Sequence, residues 1–157
     1  MKRTFVMLLV CCLFLFANAA AEERKPVKPK PSDKCPVCGM FVAKYPDFVA
    51  EIIFRDGTYA VFDGTKDMFK FFQNMSRYSR KTTADIDSVH VTDYYSLEFV
   101  SGKTAYYVVG SDVHGPMGRE LIPFGKPADA DEFRRDHKGK SVLRFSDVTP
   151  AVIKGLD

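Results

Sequence analysis

The chain has 157 residues, a formal net charge of +3 at pH 7, and 14 phenylalanines but no tryptophan. This length suffices for one compact domain or for two small halves that share a core. The positive charges form no basic stripe with interleaved aromatic residues, so nothing in the composition points to a nucleic-acid partner.

The N-terminus has the pattern of a secretory signal peptide, which we predict for residues 1–21. A basic start, an apolar run from Phe5 to Phe16 and small residues up to Ala21 are typical of an export signal. The apolar run is shorter than the roughly 20 residues of a membrane span, so we expect a periplasmic protein whose mature form has no membrane span. Cys11 and Cys12 leave with the signal unless one carries a lipid, and the residues before them are not small ones that favour lipidation.

The stretch after the signal is rich in proline and lysine. Residues 22–33 contain three spaced prolines and almost no apolar side chain, which predicts an extended or disordered linker. We therefore expect the folded domain to span residues 34–157.

The first part of this domain has the pattern of a hairpin followed by a helix. Residues 48–54 and 58–62 are β-rich, and the Asp-Gly pair between them is a strong hairpin signal. Apolar residues then recur at helical spacing over residues 66–75, with Thr65 as the expected N-cap. The polar stretch 73–83 has no periodicity and predicts a surface loop.

The second part repeats the sequence of strands and then a helix. Residues 110–118 are rich in glycine and proline, which predicts a loop outside any regular element. The sequence therefore indicates an α+β fold of two related small halves of antiparallel strands plus a helix, at about 34–83 and 84–157. In the second half we predict strands at 88–94, 95–100 and 104–109, a return strand beginning at 122–124, a helix at 128–137 and a last strand at 141–145.

The motif that carries chemistry is Cys35-Pro36-Val37-Cys38-Gly39-Met40. This spacing lets a turn point both sulfurs at one place, which suits a metal ion, a reversible disulfide or both. A haem attachment site would need His where Gly39 stands. The motif precedes a strand, whereas thioredoxin-like motifs open a helix, and the mature chain has no second pair of cysteines to complete a zinc site.

Met40 favours copper(I), because a thioether is a good ligand for this soft, low-coordinate ion and a poor one for zinc. If the segment is extended, Cys38 and Met40 point to the same side. The alternative is that Met40 packs in the core beside Phe41 and Val42.

A second soft donor is expected in the glycine-rich loop. Met117 lies between Gly-Pro and Gly, where packing explains a methionine poorly and functional residues are common. His114, three residues earlier, is a possible nitrogen donor or an ordinary loop histidine. The sequence contains no catalytic triad order, phosphate loop or supported carboxylate pair, so we do not predict an enzyme.

The motifs together resemble those of the NosL accessory proteins of nitrous oxide reductase. The resemblance rests on C-G-M at residues 38–40, G-P-M-G at 115–118 and V-L-R-F-S-D-V at 142–148. It implies an exported copper(I) chaperone that delivers metal to nitrous oxide reductase beside an ABC-type transporter. It also implies two related α+β halves, similar to the fold of organomercurial lyases.

Carried over by position, the implied copper ligands are Cys38, Met40 and Met117, with a histidine such as His114 left open. Many members of that family have a clear lipid-box cysteine, whereas the match to a lipid box around Cys11 and Cys12 is poor here. Many also have only the cysteine before Gly-Met, so Cys35 is an addition that could be a third sulfur ligand, a resolving thiol or a partner in a regulatory disulfide.

Other interpretations compete with this one. The C-P-V-C-G-M stretch also resembles the opening of YHS or TRASH-type metal-binding modules, although these are small and leave the second half unexplained. A periplasmic thiol-disulfide protein that uses Cys35 and Cys38, or a zinc module, would be consistent with the same cysteine pair.

Overall fold

The structure, a computed structural model, describes residues 23–157. The predicted signal peptide, residues 1–21, lies outside the described residues. Across the described part of the chain, none of the helices combines the length and the apolar character that a membrane crossing requires.

The first half of the fold is a four-stranded antiparallel sheet. Its strands stand in the order β2-β1-β3-β4, and the helix α1 follows the β1-β2 hairpin. The elements are β1 at Ala50–Phe54, β2 at Tyr59–Phe62, α1 at Thr65–Gln73, a short α2 at Met75–Tyr78, β3 at Ile86–Thr92 and β4 at Phe99–Ser101.

The second half is a three-stranded antiparallel sheet in the order β6-β5-β7. It again begins with a hairpin, continues with a helix and ends with a strand that returns to the hairpin. The elements are β5 at Tyr106–Gly115, β6 at Gly118–Phe124, α3 at Pro127–Asp136, β7 at Ser141–Arg144 and a terminal α4 at Pro150–Lys154.

The two halves have the same core topology. In each, the strand after the helix pairs with the first strand of the hairpin, so β3 pairs with β1 and β7 pairs with β5. This confirms the predicted α+β fold of two related halves. The division between the sheets falls after Ser101 and not near residue 83, because β3 and β4 belong to the first sheet. The polar stretch 73–83 connects α1 to β3 within that half.

The region predicted as an irregular loop at 110–118 is mostly strand. β5 continues to Gly115 and β6 starts at Gly118, so only a tight turn separates them. The pairing shifts register between Val109 and His114, where Gly110 has a φ of +75°. The glycines therefore provide a bulge and a turn within a hairpin, positions where only glycine is free of strain.

Helix α1 provides the main contact between the halves. Its predicted apolar face is buried, and the ring of Phe69 meets that of Tyr107 edge to face with centroids 5.2 Å apart. Thr65 is the first residue of the helix and not its cap, since Gly64 holds the N-cap position. A smaller cluster lies under α3 and consists of Val108, Ile122, Phe124, Ala130 and Phe133.

The proline-rich segment is bound to the first sheet, although it has no regular secondary structure at residues 23–30. His90 Nε2 donates to the carbonyl oxygen of Arg24 at 2.9 Å, and the Val27 amide donates to Glu51 Oε1 at 3.1 Å. These are hydrogen bonds between backbone and side chain. Because they need no regular pattern of apolar residues, nothing in the sequence indicated that this segment is attached to the sheet. They also give His90 a structural role.

Candidate metal centre

The two cysteines lie in one tight loop that the backbone closes on itself. The Gly39 amide donates to the Cys35 carbonyl oxygen, and the Cys35 amide donates to the Met40 carbonyl oxygen, each at 2.9 Å. Gly39 has a φ of +80°, which favours glycine. Lys34 and Phe41 form a β-bridge at the base of the loop. We call residues 35–40 the cysteine knuckle.

Backbone amides of the knuckle point at the sulfurs. Burial is the largest influence on both thiols and raises the pKa of Cys38 to about 12 and that of Cys35 still further. The amides of Val37 and Cys38 oppose this at the Cys35 sulfur, and the amide of Met40 opposes it at Cys38. Both thiols are therefore protonated at neutral pH, and the loop already directs N–H dipoles at the places where thiolate charge would form.

Two carboxylates from the start of α1 complete the cluster. The Cys38 thiol donates to Asp63 Oδ1 at 3.1 Å, and the Cys35 thiol faces Asp67 Oδ2 at 3.4 Å. One ligand atom from each of the four residues lies within 4.8 Å of all the others. The sequence shows these acids only as residues flanking a helix start, a position that the helix dipole alone explains. Asp63 lies between β2 and the N-cap Gly64 and Asp67 lies in the first turn of α1, so no helical periodicity links the two acids.

The donor set has the properties of a metal site. Within residues 23–157, Asp63 Oδ2 is buried without a hydrogen-bond partner, and such atoms are rare in folded proteins. Cys35 is 1% exposed and lies at the bottom of the cluster, whereas Cys38 is half-buried and accessible from the surface. An ion can therefore approach from the Cys38 side.

The structure places the other predicted ligands in three different environments. Met40 is half-buried and lies two residues after Cys38 in the knuckle, outside the buried core that includes Val42. Met117 is 43% exposed in the β5-β6 turn. His114 is exposed in β5, opposite Arg119. Met117 and His114 line the same surface cavity as Lys66.

The hairpin that carries Met117 is attached to the helix that carries Asp67. The Lys66 amine donates to the Met117 carbonyl oxygen at 2.8 Å. Below it, the fully buried Glu120 accepts hydrogen bonds at Oε1 from the Lys66 amide at 2.5 Å and from the Thr65 hydroxyl at 3.0 Å. The backbone of Gly64 lies so close to this carboxylate that a Cβ atom would overlap it. The second half is thereby held against the end of α1 at which the cysteines lie.

Glu120 was not identified from the sequence. The detectable signal was an acid directly before Leu121 and Ile122, two fully buried residues of β6. An acid in such a strand is expected to be paired with buried donors.

Two buried carboxyls, Glu51 and Glu120, should make the stability of the fold depend on pH. Burial raises the pKa of each to about 7, from the usual 4.5. The folded state thus keeps protons that the unfolded chain releases above pH 4.5, so this stabilisation is complete below that pH and is lost as the pH rises through 7. We expect the free energy of unfolding in urea to fall by about 3 kcal/mol per carboxyl over that interval.

The double variant Glu51→Gln, Glu120→Gln should lose most of this pH dependence. Glu132→Gln is the matched control, because Glu132 is exposed and its replacement should leave the slope unchanged. A double variant with the wild-type slope would contradict the assignment.

Comparison with known proteins places this geometry in context. A family model described as NosL matches residues 26–153. The copper-binding lipoprotein NosL of Stutzerimonas stutzeri is 27% identical over 136 residues, which cover 85% of this chain and 70% of that protein. The crystal structure of the copper chaperone NosL from Shewanella denitrificans superposes with a TM-score of 0.70 at 26% identity, covering 81% of this chain and 97% of that one. The solution structure of apo-NosL from Achromobacter cycloclastes gives a TM-score of 0.48 at 24% identity, covering 66% and 87%.

Proposed function

Because this chain belongs to the NosL family, we propose that it is an exported copper(I) chaperone that delivers copper to nitrous oxide reductase in the periplasm, beside an ABC-type transporter. Its relatives are described as a copper-binding lipoprotein and a copper chaperone. The observation that carries the proposal is the cysteine knuckle, in which the buried Cys35 sulfur and the accessible Cys38 sulfur lie within 4.8 Å of each other and Met40 is the last residue of the same loop. A lipid anchor, as in the Stutzerimonas relative, would involve residues outside the described part of the chain.

The proposed ligands are Cys38 and Met40 from the knuckle and Met117 from the hairpin of the other half. Copper(I) is soft and accepts two to four ligands, so thiolate and thioether donors suit it. Cys35 is the further sulfur ligand, since its sulfur faces the same point as that of Cys38. His114 is the candidate nitrogen donor on the Met117 hairpin.

The carboxylates have a separate role in this proposal. Carboxylate oxygen is a hard donor that copper(I) binds weakly. Before the ion binds, Asp63 and Asp67 therefore act as hydrogen-bond acceptors for the two thiols and hold the sulfurs in position. Their presence also favours a second candidate, a divalent ion such as zinc bound by two sulfurs and two oxygens. Elemental analysis of protein purified from the periplasm distinguishes the two metals.

We propose no catalytic activity for the cysteine pair. A thiol-disulfide enzyme needs an attacking thiolate, and its reactive cysteine has a depressed pKa. Burial instead raises the pKa of Cys38 to about 12. Cys35 is almost completely inaccessible to a second protein. Both features oppose disulfide exchange and are compatible with metal binding, since an ion displaces the thiol protons.

Delivery is tested with the reduced, copper-loaded protein and apo nitrous oxide reductase. After mixing, the two proteins are separated, and the copper content and activity of the reductase are measured. We expect copper to move to the reductase faster than it does from a small-molecule copper(I) complex of matched affinity. Equal rates from the two donors would contradict a chaperone role. A chain with Cys38→Ala, which should load poorly, is the negative control.

A further inference from the structure

An exposed aromatic ring stands directly beside the cysteine knuckle. Phe41 follows Met40 and is 39% exposed, whereas Val42 beyond it is fully buried. The amine of Lys34 lies 4.8 Å from the centre of the Phe41 ring, and that of Lys44 lies 5.6 Å from it. We call Lys34, Phe41 and Lys44 the Phe41 face.

The backbone holds the Phe41 face in place. Lys34 and Phe41 are partners in the bridge that closes the knuckle, and Lys44 lies in a short 3-10 helix, Val42–Lys44. Two ammonium groups against one ring form cation–π contacts. The ring is thus an ordered apolar anchor with positive charge on its border; aromatic residues are enriched in the cores of protein interfaces, and charged residues are common at their polar rims.

The two lysines are available to a partner. Both are exposed, and neither forms an ion pair with a carboxylate among residues 23–157. By comparison, Lys70 and Lys81 are each paired with an aspartate. The positive charge of the Phe41 face is therefore not neutralised by ion pairing within the described chain.

The position of the Phe41 face next to the knuckle matters because an ion would leave the protein there. Direct passage of an ion between two proteins requires a donor atom of each to reach the metal at the same time. In the transfer complex, the partner protein therefore covers the surface residues around Cys38 and Met40. Lys34 and Phe41 flank the knuckle and pair at its base, so a protein interface of ordinary size, about 800 Å² per partner, that covers Cys38 reaches the Phe41 face.

We infer that the Phe41 face docks an acidic protein surface that surrounds the copper-acceptor site of the recipient. The inference rests on the proposed function. The lysines attract the acidic surface and orient it, and Phe41 provides the apolar contact that is desolvated when the two proteins meet. Electrostatic complementarity of this kind increases the rate of association more than the final affinity, and the effect weakens with salt.

The test compares copper transfer to apo nitrous oxide reductase from three copper-loaded proteins. These are the wild type, the variant Lys34→Glu, Lys44→Glu and the control Lys103→Glu, Lys138→Glu. The control makes the same change in net charge at lysines remote from the knuckle in sequence. At low salt we expect transfer from the Phe41-face variant to be about tenfold slower than from the wild type. The control should stay within about twofold of the wild type, and high salt should bring all three rates together.

The remaining measurements separate docking from metal binding. Copper(I) affinity and urea unfolding should be unchanged in the Phe41-face variant and in Phe41→Ala, while Phe41→Ala should also slow transfer. Absence of transfer from the wild type would overturn the proposed recipient together with the docking surface. Normal transfer from the Phe41-face variant would overturn the docking surface alone. Normal transfer combined with lost binding to anionic phospholipid vesicles would assign the face to a membrane instead.

Discussion

Replacing Cys38 by alanine is expected to lower the affinity for copper(I) by more than about 100-fold. Its sulfur is the accessible one of the pair and lies on the side from which an ion can approach. Loss of a residue that only supports a ligand typically costs 10–100-fold in metal affinity, so loss of the ligand itself should cost more. The affinity is measured in reducing buffer by competition with a chromophoric copper(I) chelator.

Asp63→Asn is the informative companion to this variant. It keeps the size of the side chain and removes the carboxylate that accepts from the Cys38 thiol. We expect the copper(I) affinity at neutral pH to rise, because, in addition to burial, the Asp63 carboxylate raises the pKa of Cys38 by accepting from its thiol, and this protonated form does not bind the ion. A variant with both Met40→Ala and Met117→Ala tests the thioethers, and unchanged affinity there would remove both methionines from the ligand set. Wild-type affinity in Cys38→Ala would refute the centre as a whole.

The copper(I) affinity should also rise steeply with pH. Burial raises the pKa of Cys38 to about 12, and that of Cys35 rises too. Both thiols are therefore protonated throughout the neutral range, and each sulfur that binds copper releases one proton. With both sulfurs bound, the logarithm of the apparent association constant should increase by about two per pH unit, or roughly 10⁴-fold between pH 6 and pH 8.

The slope of that pH dependence reports the role of Cys35. The Cys35→Ala variant should retain copper binding with a slope of about one per pH unit, because Cys38 alone then releases a proton. A wild-type slope of one would mean that Cys35 is not a ligand. A flat profile would leave only the thioethers as sulfur ligands. The competing chelator is calibrated at each pH so that its own protonation does not enter the slope.

The elements that sequence analysis predicted well are those with local causes. The Asp-Gly turn between β1 and β2 and the apolar stripe of α1 each arise within a short segment. The division of the halves was misplaced because pairing of β3 with β1 joins residues far apart in the chain. A polar stretch such as 73–83 has the same composition whether it connects two halves or two elements of one half. Its composition therefore could not show where the first half ends.

The candidate centre was only half visible in the sequence for a similar reason. The C-x-x-C spacing brings two sulfurs together by local geometry. The acids that join them come from 25 and 32 residues away. Asp63 lies directly after β2 and Asp67 in α1, so both reach the sulfurs only after these elements have packed. Glu120 belongs to the other half, so its role becomes visible only when the halves are docked.

The hydrogen bonds that close the cysteine knuckle have a consequence for the exchange of an ion. They belong to the backbone of residues 35–40 and to a glycine with positive φ, so the loop keeps its shape when a ligand enters or leaves. In small zinc-binding domains, the free energy of metal binding is used largely to order the chain. Here little conformational entropy is lost on binding and little is regained on release. The affinity for the ion and the rate of its exchange therefore depend on the metal–sulfur bonds and not on ordering of the chain.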